Sequence, residues 1–140
     1  MDIKVFDVLP QDAKDIRIAV FVDEQGFHDE FDSDDNASLH LVAYIENKAV
    51  ATARVFFDKT QNRYIIGRIA VIKEQRKNGL GAKIVYAAEN IIREKGGRMA
   101  YIHAQQRAVG FYRKIGYTAF GDTESEQGYP HTWMKKIFKP

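Results

Sequence analysis

Apolar positions change their period partway along this 140-residue chain, and the change separates two kinds of structure. Ile3-Lys4-Val5 alternates as a strand does. Leu9-Pro10 then opens a stretch in which Ala13, Ile16, Ala19, Val20 and Val22 recur at helical spacing. Proline suits a helix start, where its φ is already set and its missing N–H has no intrahelical use. This helix is predicted to end near Gly26, and the acidic segment Asp29 to Asp35, which has no period, is predicted to be a loop. Leu39 to Ile45, Ala49 to Phe57 and Tyr64 to Val71 are strand-like and are divided by the turns Asn47-Lys48 and Asp58 to Asn62. The first half is therefore mainly antiparallel sheet.

From Leu80 onward the period is helical, with Ile84, Val85, Ala88, Ile91 and Ile92 on one face. Glu89 and Arg93, four apart, are expected on the polar face, and Gly96-Gly97 stops the helix. Met99 to Ala104 follows as a strand and completes a β-α-β unit. Ala108 to Ile115 reads as a short helix ending at Gly116. Tyr117 to Phe120 and Thr132 to Phe138 read as strands joined by a loop, Gly121 to Pro130. With no repeat or linker, this order implies an α+β (mixed α/β) fold in a single domain, residues 1–140, built on one sheet of mixed direction.

Composition narrows the chemistry. The chain is 45% hydrophobic and has no Cys, which excludes disulfides, thiolate metal sites and cysteine nucleophiles. Its serines, Ser33, Ser38 and Ser125, lie in no G-x-S-x-G string. Asp32-Ser33-Asp34-Asp35-Asn36 opens like a calcium loop, but Ala37 and Ala43 stand where that loop needs Gly and Glu, so no metal is expected. The N-terminus lacks the apolar centre of a signal peptide, and no run approaches the roughly 18 apolar residues of a membrane span. These features predict a cytoplasmic protein with no membrane partner. Charge is lopsided: residues 1–35 carry eleven acids against three basic groups, whereas the remaining 105 residues carry 18 basic and 8 acidic groups. The acidic segment could attract a cationic ligand or could simply be solvated surface. The basic residues are dispersed and match no helix-turn-helix, RNP or KH pattern, so no nucleic-acid partner is expected.

The most informative stretch joins the Tyr64–Val71 strand to the long helix: Ile72-Lys73-Glu74-Gln75-Arg76-Lys77-Asn78-Gly79-Leu80-Gly81-Ala82. First-turn N–H groups lack intrahelical partners and sit at the positive end of the helix dipole. Gly79 and Gly81 let an anion approach them, while Arg76, Lys77 and Lys83 add charge. An ordinary βα turn with a solvated basic flank is the competing reading. The stretch contains neither G-x-x-x-x-G-K-[ST] nor G-x-G-x-x-G/A, since Ile84 occupies the third position of the latter.

Arg76-x-x-Gly79-x-Gly81, preceded by Arg68-Ile69-Ala70-Val71, resembles the coenzyme A pyrophosphate loop of the GNAT (GCN5-related) N-acetyltransferases. Phe111-Tyr112-Arg113-Lys114-Ile115-Gly116-Tyr117 resembles that family's F-Y-x-x-x-G-F segment. Val20 to Gly26, His40-Leu41-Val42-Ala43, His103-Ala104-Gln105 and Gly128-Tyr129-Pro130-His131 resemble its small bacterial YjcF-like subgroup. Thr123-Glu124-Ser125 departs from the more apolar subgroup pattern.

The resemblance implies a GNAT-like acyl-CoA N-acyltransferase fold, with the β-α-β unit binding coenzyme A. It implies acetyl-CoA as cosubstrate and a small-molecule or peptide amine as acceptor. The pyrophosphate would rest on Arg76, Lys77, Asn78, Gly79, Leu80, Gly81 and Ala82, the pantetheine arm along Ile69, Ala70 and Val71, and Phe111 and Lys114 would complete the coenzyme site. A main-chain N–H near Val71 would steady the oxyanion. The acceptor would attack directly, without an enzyme nucleophile. Tyr112 stands where the family places the acid that protonates the departing thiolate; on its residues alone, Phe111-Tyr112 could equally be an aromatic pair packing a short helix. A base is also required. Glu24 ranks first and His131 second among Glu24, His40, His103, Glu126 and His131. A sensor that binds acetyl-CoA without turnover is the alternative, and Thr132 to Phe138 could pair between subunits in a homodimer.

Overall fold

The computed structural model describes residues 1–28, 30–126 and 128–140. One seven-stranded sheet runs through it. The strands are β1 (Asp2–Phe6), β2 (Leu39–Ile45), β3 (Lys48–Asp58), β4 (Arg63–Val71), β5 (Met99–Gln105), β6 (Thr118–Glu126) and β7 (Tyr129–Ile137), in spatial order β1-β2-β3-β4-β5-β7-β6. Every neighbouring pair is antiparallel except β4 and β5, the parallel arms of the β-α-β unit. The helices are α1 (Gln11–Arg17), α2 (Leu80–Glu94) and α3 (Val109–Lys114). Among the described residues, no helix is long and apolar enough to cross a membrane.

The two faces of the sheet are covered separately because strand side chains alternate. Leu41 and Ala43 of β2 point into a core with Leu80, Ile84, Val85, Ala88 and Ile92 of α2. Val42, between them, joins Ala13, Ile16, Val20 and Phe21 on the other face. Ile84 and Val42 are both fully buried. β4 contains a bulge that matters for function: Arg68 and Ile69 together oppose Ala53 of β3, and Arg68 takes a positive φ of 50°. Ile66 and Ala70 would share a face in a regular strand. Across the bulge they fall into opposite cores.

Four expectations are corrected. The first helix does not continue as an α-helix to Gly26. From Ile18 to Glu24 it widens into a π-helix, which buries the adjacent pair Val20 and Phe21. The acidic loop contains a 3-10 turn, Ser33–Ala37, capped by the Asp32 and Asp35 side chains; Asp29 lies outside the described residues. Glu89 is not on the polar face with Arg93. It is buried, accepting from Tyr117 Oη at 2.8 Å and from Lys136 Nζ at 2.9 Å. Most of the predicted loop from Gly121 to Pro130 is strand, since β6 runs on to Glu126 and β7 begins at Tyr129; Gln127 lies outside the described residues. Gly121 to Glu126 is exposed throughout, so no alternation marked it as strand.

Candidate active site

Parallel pairing of β4 with β5 is confined to Ile65 opposite Tyr101. Beyond that pair the strands part, and the remainder of β4 lacks a ladder on its β5 side. Ile72 N–H donates to Val50 O of β3 at 3.0 Å. By strand alternation, the N–H and C=O of Val71 face the opposite, open edge.

At the end of this edge lies the loop leading into α2. Lys77 and Gly79 both take left-handed conformations, with φ of 72° and 78°. Gly79 is the N-cap of α2, without a side-chain cap, and its carbonyl receives the first helical N–H, from Lys83. The preceding first-turn N–H groups, from Leu80 to Ala82, have no intrahelical acceptor. A Cβ on Gly81 would lie 3.1 Å from the Phe111 ring, so that aromatic wall closes on the helix start. Lys114, at the end of α3, is exposed.

At the other end of the splay is a cavity of about 430 Å³. Its walls include Phe21 from the π-helix, Gln25 and Phe27 just beyond its end, Arg68 and Ile69 from the bulge, and His103 and Gln105 from β5. Tyr112, Glu126, His131 and Trp133 complete its far side. Tyr112 is 7% exposed, and burial pushes its phenol well above the ordinary range. Among the described residues its hydroxyl has no hydrogen-bond partner, whereas the neighbouring Tyr117 is bound to Glu89.

The hairpin of β6 and β7 brings three titratable groups together. His131 Nδ1 lies 2.9 Å from Tyr129 O. A carbonyl only accepts, so Nδ1 carries a hydrogen directed at it. Nε2 faces Glu126 Oε2 at 3.4 Å, and His103 Nδ1 faces the same oxygen at 3.5 Å. His103 stacks on Trp133, with centroids 4.6 Å apart, and its buried Nε2 makes no hydrogen bond. The His103 hydrogen bond lowers the pKa of Glu126, which favours the carboxylate.

Glu24 is engaged elsewhere. It closes the π-helix and holds Arg76 bidentately, at 2.9 and 2.7 Å, while Arg76 Nε donates to Val71 O at 3.0 Å. The Arg76 hydrogen bond holds the Glu24 carboxyl below its usual pKa. His40 is buried outside the cavity, with Nε2 bound to Asp35 O at 2.9 Å.

Among the described residues of the acidic segment, Glu30, Asp32 and Asp35 are paired with arginines rather than forming an open anionic patch. Arg17 binds Glu30 and Asp35, Arg54 binds Asp32 and Asp35, and Arg68 binds Glu30 and Asp32, at distances between 2.6 and 3.1 Å. Asp34, 53% exposed at its side chain, stays at the margin, 3.9 Å from Arg54. The sequence could not show this, because the three arginines come from α1, β3 and β4. Gln25 was also missed: it accepts from Gln105 Nε2 at 2.8 Å through its side chain and from Tyr129 Oη at 2.7 Å through its carbonyl.

Residues 10–138 match the family model for the acetyltransferase (GNAT) domain. The chain belongs to the GNAT acetyltransferases. It is thus an acyltransferase, of a family that uses acetyl-CoA. A presumptive acetyltransferase of Bacillus subtilis is 40% identical over 129 residues, covering 89% of this chain and 86% of that protein. The N-acetyltransferase YjcF of the same organism is 34% identical, covering 90% and 91%. Among solved GNAT structures, a presumptive N-acetyltransferase from Lactobacillus plantarum superposes with a TM-score of 0.86 at 26% identity, over 99% of this chain and 100% of that one. An aminoglycoside 6'-N-acetyltransferase complexed with coenzyme A shares the fold, with a TM-score of 0.76 at 16% identity over 100% and 98%.

Proposed function

We propose that residues 1–140 act as one domain that moves an acetyl group from acetyl-CoA to a primary amine by direct attack in a ternary complex. The observation that carries this reading is the open edge of β4, which runs from the cavity holding Tyr112 and His131 to the uncapped start of α2. Residues 76–82 would hold the pyrophosphate, with Phe111 and Lys114 flanking it. Ile69 to Val71 would receive the amide-bearing pantetheine arm as an added strand. Val71 N–H, turned to that edge, would donate to the carbonyl oxygen as it gains charge.

Two proton movements remain. An acceptor ammonium must lose a proton before it attacks, and the departing thiolate must gain one. Glu24 is bound to Arg76, so we assign the first movement to His131 with Glu126, whose facing Nε2 and Oε2 atoms can hold one proton between them. Tyr112 serves the second. Burial keeps its phenol protonated, so the hydroxyl in the cavity wall carries a proton to give.

Calorimetric titration with acetyl-CoA, CoA, ATP and NAD tests the coenzyme half, with Gly79→Glu as the control. Binding of acetyl-CoA and CoA alone, lost in the variant, is expected. No binding would overturn the reading. Binding without thiol release across a panel of primary amines would favour a sensor.

A further inference from the structure

Glu24, Gln25 and Arg76 form a strap across the splay of β4 and β5. On one side, Glu24 grips Arg76, whose Nε is bound to the last carbonyl of β4. On the other, Gln25 is tied to Gln105 at the end of β5 and to Tyr129 of β7. The Arg76 guanidinium is thus committed twice, to Glu24 and to Val71 O, although it belongs to the loop read above as the pyrophosphate cradle. Its two acceptors are a carboxylate in a partly exposed pair, with side chains 40% and 33% exposed, and a carbonyl on the open edge of β4. Partly exposed ion pairs are weak, and a guanidinium binds phosphate oxygens in the same forked geometry as a carboxylate.

Resting on the coenzyme reading above, we propose that Glu24 and the coenzyme pyrophosphate compete for the guanidinium of Arg76. When the diphosphate takes Arg76, two groups are released together. Val71 C=O becomes free on the edge where the pantetheine arm pairs. Glu24 is left without its paired guanidinium beside Gln25, which lines the acceptor cavity, and keeps only the weaker fields of Lys73 and Arg107. Coenzyme loading therefore prepares the cavity for an ammonium group, and the acceptor binds second. Glu24 is a positioning residue in this scheme: it governs the order of binding and does not take a proton from the reacting nitrogen.

The test is calorimetric titration of CoA into the wild type, Glu24→Gln, Arg76→Ala and the double variant. Competition predicts that Glu24→Gln tightens CoA about three- to fivefold, the range expected for releasing one exposed ion pair. Arg76→Ala weakens CoA, and adding Glu24→Gln to Arg76→Ala changes nothing further. Glu24→Ala must move affinity in the same direction as Glu24→Gln, with thermal unfolding checking that each variant is folded. Unchanged or weaker CoA binding in folded Glu24 variants would overturn the competition and leave the coenzyme reading intact. Failure of the wild type to bind CoA would overturn the coenzyme reading and the competition with it.

Discussion

The proposed coenzyme end of the cleft is made largely of backbone, whereas the acceptor end is made of side chains from distant parts of the chain. At the first end, the open edge of β4, the left-handed residues 77 and 79 and the start of α2 are consecutive in sequence, and their polar groups are main-chain N–H and C=O. At the second, Arg17, Arg54 and Arg68 hold Glu30, Asp32 and Asp35, and the β6–β7 hairpin beyond β5 supplies Glu126 and His131. Backbone recognition needs only a local conformation and tolerates most side chains. Side-chain recognition needs every partner present, because a buried charge left alone is costly.

The comparison breaks most visibly at Arg17, which is 1% exposed and pairs with both Glu30 and Asp35. Arg17→Ala leaves two carboxylates without their guanidinium and should cost about 3–5 kcal/mol in urea unfolding. A loss below about 1 kcal/mol would show that the network is dispensable. Tyr112→Phe should leave acetyl-CoA binding unchanged while lowering kcat for an amine acceptor about a hundredfold, a typical share for a positioned proton donor. An unaltered kcat would return Tyr112 to a packing role beside Phe111 and Tyr117.

Acid should act on the acceptor end first. Its arginine partners hold Asp35 down to about 2, against a reference of 3.8. A depressed carboxyl stabilises the fold above its unfolded pKa, and that stability disappears as pH falls toward the folded value. About 2 kcal/mol should therefore vanish between pH 4 and pH 2, and Asp35→Asn should flatten this limb. Glu30, raised by burial, opposes it in the same network. The smallest expected effect is at Glu126. Glu126→Gln should lower kcat about tenfold and move the acid limb of the pH–rate profile, with acetyl-CoA affinity unchanged. A profile that keeps its shape would remove Glu126 from proton transfer.

Most of the sheet was legible in the sequence because its strands carry strong alternation or β-branched runs; β2 was predicted from Leu39 to Ile45 and observed there. The same holds for α2, with its five-residue apolar face. The loop from Arg76 to Ala82, proposed as the coenzyme cradle, stood out in the sequence for a different reason. Its glycines, charges and adjoining elements are contiguous, so short-range rules suffice to read an anion cradle there. β6 was underread because an exposed edge strand has no face to bury. The π-helix was missed because one inserted residue changes which atoms face inward without changing composition.

Sequence by itself determined the family, through the resemblance of contiguous motifs, and most of the order of elements, through local periodicity; the loop proposed as the backbone cradle is contiguous too. Only the tertiary structure decided what the charged residues do. Eleven acids in the first 35 residues could be read as solvated surface or as a surface facing a cation. Folding paired three of them with arginines 13 to 38 positions away and buried two of these, Glu30 and Asp35. It gave Glu24 to Arg76, 52 positions on, and brought His131 and His103 onto one carboxylate. A charge takes its role from the group a few ångströms away, and only the folded chain chooses that neighbour.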